Sequence, residues 1–178
     1  DLVSLLKNYR AGRGEEPYIG TVHRLDQPVE GLLVFGKTGE AAAGLSKQVK
    51  NHAFEKCYYA LGDVADERVP ELSGQDKICL IDYIEFDRKK NFSRVVPNKT
   101  PQAKKAVLDC RMLARQNDIA CFDITLHTGR HHQIRVQMAH HGWPLVGDFK
   151  YGGNGEKTDA ASGGESGTSA GGFERGSL

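Results

Sequence analysis

Residues 103–127 read AKKAVLDCRMLARQNDIACFDITLH, and this stretch contains the two longest strands that the sequence predicts. The first strand is expected at Ala103–Leu113 and the second at Ile119–His127. Four residues fall on one face of the first strand: Ala106, Leu108, Cys110 and Met112. The connection, Ala114–Asp118, is short and polar, which favours an antiparallel pair. An antiparallel sheet is therefore the expected centre of the fold.

Shorter elements are predicted on both sides of this pair. Helices are expected at Leu2–Tyr9, Glu40–His52 and His131–His141, where apolar residues recur at helical spacing or strong helix formers dominate. Strands are expected at Gly31–Phe35, Glu55–Val64, Ile78–Phe86 and Phe92–Pro97, the first of them as a buried strand. The predicted fold class is α+β, with a mixed, mostly antiparallel sheet and flanking helices.

The composition is that of an ordinary globular domain. The 178 residues are 39% hydrophobic and 26% charged, which fits one folded unit with a substantial core. The formal net charge is only +1, so a nucleic-acid partner would have to bind a local basic patch. The four cysteines show no Cys-x-x-Cys pair, and neither a signal peptide nor a membrane span is visible. These features favour the reducing cytoplasm.

The composition changes abruptly after Tyr151. Residues 153–178 contain eight of the 21 glycines and four serines, with only two large apolar side chains. Such a segment does not bury enough apolar surface to offset its conformational entropy. We therefore expect a folded domain over residues 1–152 and a disordered Gly/Ser-rich tail over 153–178.

A polar segment that contains proline, Thr21–Gly31, runs directly into the apolar residues 32–35. It places the guanidinium of Arg24 and the carboxylate of Asp26 two residues apart, and loops anchored in this way often carry chemistry. The simpler interpretation is that both are solvated turn residues and that Pro28 only marks the turn. From this segment alone, the simpler interpretation is favoured.

Five of the seven histidines fall within residues 127–141. A zinc site is disfavoured, because Thr128-Gly129-Arg130 separates His127 from His131 and no cysteine or acidic ligand is patterned with them. The alternative is a cationic, hydrogen-bonding surface where a helix begins, since free N–H groups there also attract anions. Its members are Arg130, His131, His132, Gln133 and Arg135.

Four motifs occur in a fixed order along residues 19–152. They are His23-Arg24-Leu25-Asp26-x-x-x-x-Gly31, Lys56-x-Tyr58-x-Ala60, Thr128-Gly129-Arg130-x-His132-Gln133-Ile134-Arg135 and Gly147-Asp148-x-x-Tyr151-Gly152. In this order and spacing they closely resemble the RluA-type RNA pseudouridine synthases. The resemblance implies a mostly antiparallel sheet with flanking helices, an rRNA or tRNA substrate, a monomer, and isomerisation of uridine to pseudouridine without a metal or cofactor.

Individual roles follow from the resemblance, position by position. It implies that Asp26 is the catalytic carboxylate, that Arg24 helps displace the target base, that Tyr58 stacks on it, and that Arg135 pairs with the aspartate. Asp26, Tyr58 and Arg135 form the expected catalytic set. The other expected substrate-binding residues are His23, Arg24, Lys56, Arg130, His132, Gln133 and Ile134.

The chain also departs from the family pattern. Glu30 stands where the family commonly has serine, and Gly36 where it has alanine. Family members carry further strand segments before and after this region, so the chain is expected to be partial at both ends. The alternative function is therefore a truncated, non-catalytic RNA-binding relative.

The chemistry of the reaction accounts for these residue types. Isomerisation breaks the bond from ribose C1′ to N1 and joins C5 to C1′, which requires a carboxylate beside the sugar and a pocket that retains the uracil. A neighbouring arginine would keep Asp26 ionised, and a base within RNA structure must be flipped out to reach it. Attack at C1′ and abstraction of the ribose 2′ proton both start from this aspartate, and the sequence leaves both open.

A basic run supplies the expected contacts with the RNA backbone. Between positions 88 and 105 there are seven basic residues and no acidic one. A run of basic residues by itself is more often only a solvated surface. Beside a site that binds a flipped-out base, it becomes a candidate for binding the phosphates of the RNA. Its members are Arg88, Lys89, Lys90, Arg94, Lys99, Lys104 and Lys105.

Overall fold

The computed structural model describes residues 1–26, 29–51, 53–65, 77–98 and 100–152. Within them the chain forms, in order, α1 (Leu2–Gly12), β1 (Gly20–Thr21), β2 (Phe35–Gly36), α2 (Gly39–Lys50), β3 (Cys57–Asp63), β4 (Lys77–Asp87), β5 (Phe92–Val95), β6 (Lys104–Gln116), β7 (Ile119–Leu126) and α3 (Gln133–His140). A five-stranded sheet has the order β3-β7-β6-β4-β5, and β1 pairs with β2 separately. All of these pairings are antiparallel, which confirms the predicted fold class.

The predicted pair of long strands forms the middle of the sheet. β6 and β7 pair from Leu108 with Leu126 to Gln116 with Ile119, with a register shift between Met112 and Ala114. The turn between them is tighter than predicted, because Asn117 adopts a left-handed conformation with φ of 53°. The predicted apolar face of β6 is confirmed, since all four of its residues are buried.

The core lies between this face of the sheet and α3. Its fully buried side chains include Leu108, Phe122, Ile124 and, from α3, Met138, and the indole of Trp143 stacks on Phe122 with ring centroids 5.6 Å apart. The opposite face of the sheet is partly exposed and carries polar side chains such as Asp109 together with exposed apolar ones such as Tyr59 and Ile81. This arrangement brings the start of α3 beside β5, because the two elements are in contact.

The first helix differs from expectation in how it packs. Its existence is confirmed, with the Asp1 side chain accepting a hydrogen bond from the Ser4 N–H at its start. The apolar face is nevertheless exposed, since Leu5 is 66% exposed and Tyr9 63% exposed. The buried residue of α1 is Arg10, whose guanidinium lies 3.0 Å from the Glu15 carboxylate.

The predicted buried strand at Gly31–Phe35 is wrong in extent and in burial. Only Phe35 and Gly36 pair as a strand, and Leu32 is 92% exposed. The reason is a competing hydrogen bond: the N–H of Val34 donates to Nε2 of His23 at 3.1 Å. The described residues of this segment, 22–26 and 29–34, therefore belong to a loop that is closed at its base by β1 and β2.

Two glycines allow α2 to approach this small sheet. An added Cβ at Gly36 would lie 2.5 Å from the backbone nitrogen of Ala42, and one at Gly20 would lie 2.4 Å from the Ala42 Cβ. The helix begins after Thr38, whose hydroxyl accepts a hydrogen bond from the Ala41 N–H. Small residues at these positions thus hold the base of the loop against α2.

Some predictions fall outside the described residues. These are the basic residue Lys99, the Gly/Ser-rich tail at 153–178, and His52, which was predicted to end the second helix. In the part of the chain that is described, no helix is both long enough and apolar enough to span a membrane. The four cysteines are all described, and each is a free thiol.

Candidate active site

The residues that the sequence singled out lie around one cavity of about 520 Å³. Every predicted catalytic or substrate-binding residue except Arg135 lines it. The loop supplies His23, Arg24 and Asp26, and Tyr58 on β3 lies near Lys56, which directly precedes that strand. The start of α3 and the preceding turn supply Arg130, His132, Gln133 and Ile134. Residues distant in sequence therefore meet at a single concave surface.

Asp26 lies on the loop side of this cavity, and its side chain is 29% exposed. Nη2 of Arg24 is 3.3 Å from Oδ1 of Asp26, and Nε2 of His132 is 3.9 Å from Oδ2. The Arg24 side chain is 77% exposed, so most of it extends into solvent. The carboxylate is accessible and has polar neighbours on two sides.

The predicted ion pair between Arg135 and Asp26 is wrong. Arg135 instead makes a bidentate pair with Asp148, with Nε to Oδ2 and Nη2 to Oδ1 both at 2.7 Å. Asp148 is the more buried carboxylate and also accepts hydrogen bonds from the N–H groups of Lys150 and Tyr151, so it is already oriented for the planar guanidinium. Arg135 lines a second cavity, of about 480 Å³, which Asp26 also borders.

The ion pair between Arg135 and Asp148 keeps both side chains charged. Burial raises the pKa of Asp148, but the Arg135 guanidinium and the two backbone N–H groups outweigh it and hold the pKa below its usual value. The hydrogen bond with Asp148 correspondingly raises the pKa of Arg135. Both groups are therefore ionised at neutral pH.

The wall opposite the loop is formed by β3. Tyr58 points to the inner face of the sheet, and burial, followed by the Asp26 charge, raises its pKa. Burial and the charge of Arg130 lower the pKa of Lys56, whose ammonium lies beside Gly129. The phenol is thus protonated at neutral pH and offers an aromatic face with a polar tip to the cavity.

The turn before α3 is held by the amide of Gln133, which is only 3% exposed. Its Oε1 accepts hydrogen bonds from the Thr128 hydroxyl at 2.8 Å and from the Arg130 N–H at 2.9 Å. Its Nε2 donates to the carbonyl of Val107 and to Oε1 of Gln137. Both ends of the amide are engaged within the protein, so the structure gives Gln133 a scaffold role, and its contact with substrate stays a prediction.

His23 is likewise engaged within the protein. Its Nε2 accepts the Val34 N–H, and its ring lies 5.6 Å from that of Phe54. Arg130 donates from Nε to the carbonyl of Lys105 at 2.8 Å. These contacts shape the cavity, and the predicted substrate contacts of His23, Arg130 and Ile134 stay predictions.

The histidine cluster separates into different environments. His127 pairs with Asp109 at 2.8 Å on the outer face of the sheet, and His141 pairs with Asp82 at 3.0 Å behind the core. His131 and His132 stack on each other at the active site, 3.7 Å between ring centroids. Among the described residues, no group of three or more His, Cys, Asp or Glu side chains is arranged to hold a metal ion.

The two histidines beside the cavity are neutral, so the positive charge of the predicted cationic surface comes from its arginines. Burial, and then the charges of His131 and Arg135, lower the pKa of His132 to about 4. Burial also lowers the pKa of His131. Both rings are neutral at pH 7, so they act as hydrogen-bonding groups, and the helix itself begins at Gln133 and not at His131.

The basic run does not form one uniform surface. Arg88, Lys89 and Lys90 lie in the turn between β4 and β5, and Lys104 and Lys105 begin β6. Arg94 is paired with Glu85 at 2.7 Å, which offsets its charge. The exposed lysines and Arg88 are therefore the better candidates for phosphate contacts.

Two residues near the cavities had no assigned role in the sequence. Tyr151 and Asp148 belong to the fourth motif, and the structure connects them to His132 and Arg135 respectively. The invariant spacing of a motif does not reveal a partner, because the two members of each pair lie 13 or more residues apart. Ser93, on β5, joins the same group through its N–H.

Comparison with known proteins identifies the family. The family model described as RNA pseudouridylate synthase matches residues 1–140. The chain belongs to the RluA-type RNA pseudouridylate synthase family. It is 34% identical over 133 residues to "Ribosomal large subunit pseudouridine synthase D" of Zymomonas mobilis, and 31% identical over 163 residues to "tRNA pseudouridine synthase C" of Pectobacterium carotovorum.

These matches cover 75% and 84% of this chain but only 39% and 40% of the two relatives. The chain thus spans well under half the length of the curated relatives it matches. Among solved structures, "Human RNA Pseudouridylate Synthase Domain Containing 1" has a TM-score of 0.65 at 22% identity, over 76% of this chain and 56% of that one. This structural likeness shows that the fold of the family is present.

Proposed function

We propose that this chain provides catalytic machinery that isomerises uridine in RNA to pseudouridine, with Asp26 as the catalytic carboxylate. The observation that carries the proposal is that Asp26 and Tyr58 line one cavity, with the Arg24 guanidinium beside the carboxylate. The cavity volume of about 520 Å³ lies within the range of roughly 300–1,000 Å³ that is usual for small-molecule sites. Relatives named for the large ribosomal subunit and for tRNA make these two RNA classes the proposed substrates.

Asp26 starts the reaction in this proposal. Its carboxylate either attacks ribose C1′ as the bond to N1 breaks, or removes the ribose 2′ proton so that uracil departs. The detached uracil is held in the cavity, turns, and forms the bond from C5 to C1′. This step breaks the bond between Asp26 and C1′ in the first route and is accompanied by return of the proton to C2′ in the second. The C5 proton is then lost and N1 gains a proton. Both routes need an ionised carboxylate with open access, which fits the partial exposure of Asp26.

The other residues position the base. Tyr58 offers its ring for stacking on uracil, and its raised pKa keeps the hydroxyl protonated. Arg24, which is long and mostly exposed, fills the space that the flipped nucleotide leaves in the RNA. The remaining predicted substrate-binding residues line the cavity and complete the walls around the base.

The RNA backbone is proposed to bind the exposed basic residues. Those of the β4–β5 turn and the start of β6 supply positive charge, while Arg94 contributes less because Glu85 neutralises it. Lys99 belongs to the same proposed surface. We further propose that the protein acts in the cytoplasm, as a monomer, and without metal or cofactor, since the carboxylate chemistry itself requires none.

Incubating the chain with total ribosomal and transfer RNA, followed by chemical mapping of pseudouridine, tests the proposal. New pseudouridine at defined positions is expected, and it would identify the RNA. RNA binding without any conversion would instead support the alternative of a non-catalytic RNA-binding relative.

A further inference from the structure

A chain of hydrogen bonds leads from β5 to the neighbourhood of Asp26. The N–H of Ser93 donates to the Tyr151 hydroxyl oxygen at 3.0 Å, and this oxygen is 2.8 Å from Nδ1 of His132. The other ring nitrogen of His132, Nε2, is 3.9 Å from Oδ2 of Asp26. Tyr151 is thus connected to the proposed catalytic carboxylate through a single imidazole.

The protons on this chain can be assigned. A backbone N–H only donates, so the Tyr151 oxygen is the acceptor in its bond with Ser93. A phenol oxygen can accept two hydrogen bonds, so its contact with Nδ1 of His132 fits either a hydroxyl that donates to an unprotonated Nδ1 or an Nδ1–H that donates to the hydroxyl oxygen. The Asp26 carboxylate beside Nε2 favours the first arrangement, in which the single proton of the neutral ring resides on Nε2.

This assignment depends on a neutral ring, and the surroundings of His132 provide one. Burial, with the charges of His131 and Arg135, holds its pKa near 4, so at neutral pH only one ring nitrogen carries a proton. In the opposite tautomer, the lone pair of Nε2 would face the carboxylate of Asp26 and repel it. With the proton on Nε2, an N–H dipole faces the carboxylate and attracts it.

Tyr151 is held firmly in its position. Its ring stacks on Phe92 with centroids 4.9 Å apart, and the Arg135 guanidinium carbon lies 5.0 Å from its centroid. A cation over the ring makes the phenol a better donor. The N–H of Tyr151 also donates to Asp148, the carboxylate that orients Arg135.

We propose that Tyr151 is a positioning residue that sets the tautomer of His132, so that Nε2–H faces Asp26 and keeps the carboxylate oriented for attack. Arg135 then acts on the active site through the Tyr151 ring and not by pairing with Asp26. The effect on turnover rests on the proposed function, whereas the tautomer of His132 does not.

Nuclear magnetic resonance of protein labelled with nitrogen-15 histidine tests the first part without any substrate. In the unaltered protein, His132 is expected to show a protonated Nε2 and an unprotonated Nδ1 that is shifted by an accepted hydrogen bond. Tyr151→Phe keeps the ring stacked on Phe92 but removes the donor, so the Nδ1 resonance is expected to move towards that of a free acceptor. A proton on Nδ1 of the unaltered protein would overturn the proposal, even if the variant failed to fold.

Two further variants separate this effect from general disturbance. Ser93→Ala removes a hydroxyl that is 2.9 Å from Nδ1 of His131 and also interacts with the Tyr151 phenol, but it retains the N–H that binds Tyr151, so the His132 resonances should change less than in Tyr151→Phe. Tyr9→Phe removes a hydroxyl from an exposed residue of α1 and should leave them unchanged. A His132 spectrum that is identical in Tyr151→Phe and Tyr9→Phe would contradict the proposal.

Kinetics test the second part. Tyr151→Phe is expected to lower turnover at saturating RNA by about tenfold with little change in the RNA concentration for half-saturation, because the lost hydrogen bond orients Asp26 and does not contact RNA. Tyr9→Phe should retain full turnover. If the spectrum of His132 changes as expected but turnover does not, the positioning role is wrong. If the unaltered chain is inactive, the proposed function fails while the tautomer result still stands.

Discussion

The two sides of the candidate active site are built differently. Asp26 lies on the loop from Val22 to Val34, whose base is closed by strands of only two residues and whose Leu32 is 92% exposed. Tyr58 lies on the five-stranded sheet, where Leu108 and Phe122 have no exposed surface. The proposed catalytic carboxylate therefore sits on the lightly packed side, and the cavity wall that faces it belongs to the densely packed side.

This difference indicates how the site is held together. Packing fixes the sheet side, because many buried apolar groups must move together before Tyr58 moves. The loop is held by a few individual contacts, among them the hydrogen bond from Val34 to His23 and the close approach of Gly36 to α2. Single substitutions on the two sides should consequently differ in their effects on stability and on turnover.

The largest expected effect is that of Asp26→Asn on the loop. Loss of the charged oxygen should lower pseudouridine formation by about a thousandfold or more, because no other group replaces the carboxylate in either route. RNA affinity should change little, since the basic surface is intact. The measurement is single-turnover conversion together with RNA binding. Near-normal conversion by the variant would show that Asp26 is not the catalytic carboxylate.

The next effect contrasts two leucines. Leu108→Ala, in the core of the sheet, should lower the free energy of unfolding by about 2–5 kcal/mol, because it leaves a cavity in a packed interior. Leu32→Ala, on the loop, should change it by less than about 0.5 kcal/mol, because the side chain is already in water. Urea unfolding of both variants measures the difference. Equal losses would show that the loop is as tightly packed as the sheet.

Glycine substitutions examine the base of the loop. Gly36→Ala should cost about 1–3 kcal/mol, because its Cβ would lie 2.5 Å from the Ala42 backbone. Gly44→Ala, in α2, is the matched control: nothing lies within 4 Å of the added Cβ, and alanine should stabilise the helix by about 0.5–1 kcal/mol. Opposite signs in urea unfolding are expected. A neutral Gly36→Ala would mean that α2 shifts at little cost.

Arg135→Lys tests the connection between the two sides. Lysine keeps the charge but loses the two parallel hydrogen bonds to Asp148, which should cost about 1–2 kcal/mol of stability. Turnover should also fall, since the guanidinium no longer supports the Tyr151 ring, while RNA affinity stays close to that of the unaltered protein. Weaker RNA binding with unchanged turnover of the bound enzyme would instead make Arg135 a phosphate contact.

The smallest effect at neutral pH is expected from the titration of His132, which changes the free energy of unfolding only in acid. Above pH 6.5, His132 is neutral in both the folded and the unfolded protein. As the pH falls from 6.5 towards 4, the unfolded chain binds a proton that folded His132 does not, so the stability decreases and then levels off below about pH 4. Unfolding free energies at several pH values should decline less in His132→Asn. Identical pH profiles would mean that His132 titrates normally.

Local patterns in the sequence predicted the elements that packing dominates. The alternation in residues 104–112 corresponds to the buried face of β6, and the helices α1, α2 and α3 lie within a few residues of their predicted positions. The prediction failed where an isolated apolar run was taken for a buried strand. Within the described part of the chain, no strand pairs with residues 31–34, and the Val34 N–H binds His23 instead.

The candidate site was predicted as a set of residues but not as a set of pairs. Three of the four motifs supply residues that line the cavity, whereas no residue of the fourth motif lines it. The partner of Arg135 was missed because two carboxylates lie near it, and the more buried and better oriented Asp148 binds the guanidinium. The neutral state of His132 depends on its burial, which outweighs the attraction of Asp26 and is not visible in the sequence.

The sequence by itself determined the antiparallel sheet, the family and the residue types around the cavity, because periodicity and motif order are local properties that survive without knowledge of the fold. Only the tertiary structure decided which groups share protons and charges. Burial depth and contact across the chain set the pairing of Arg135 with Asp148 and the direction of the Tyr151 hydroxyl towards His132. Both depend on distances between residues that the chain brings together only after it folds.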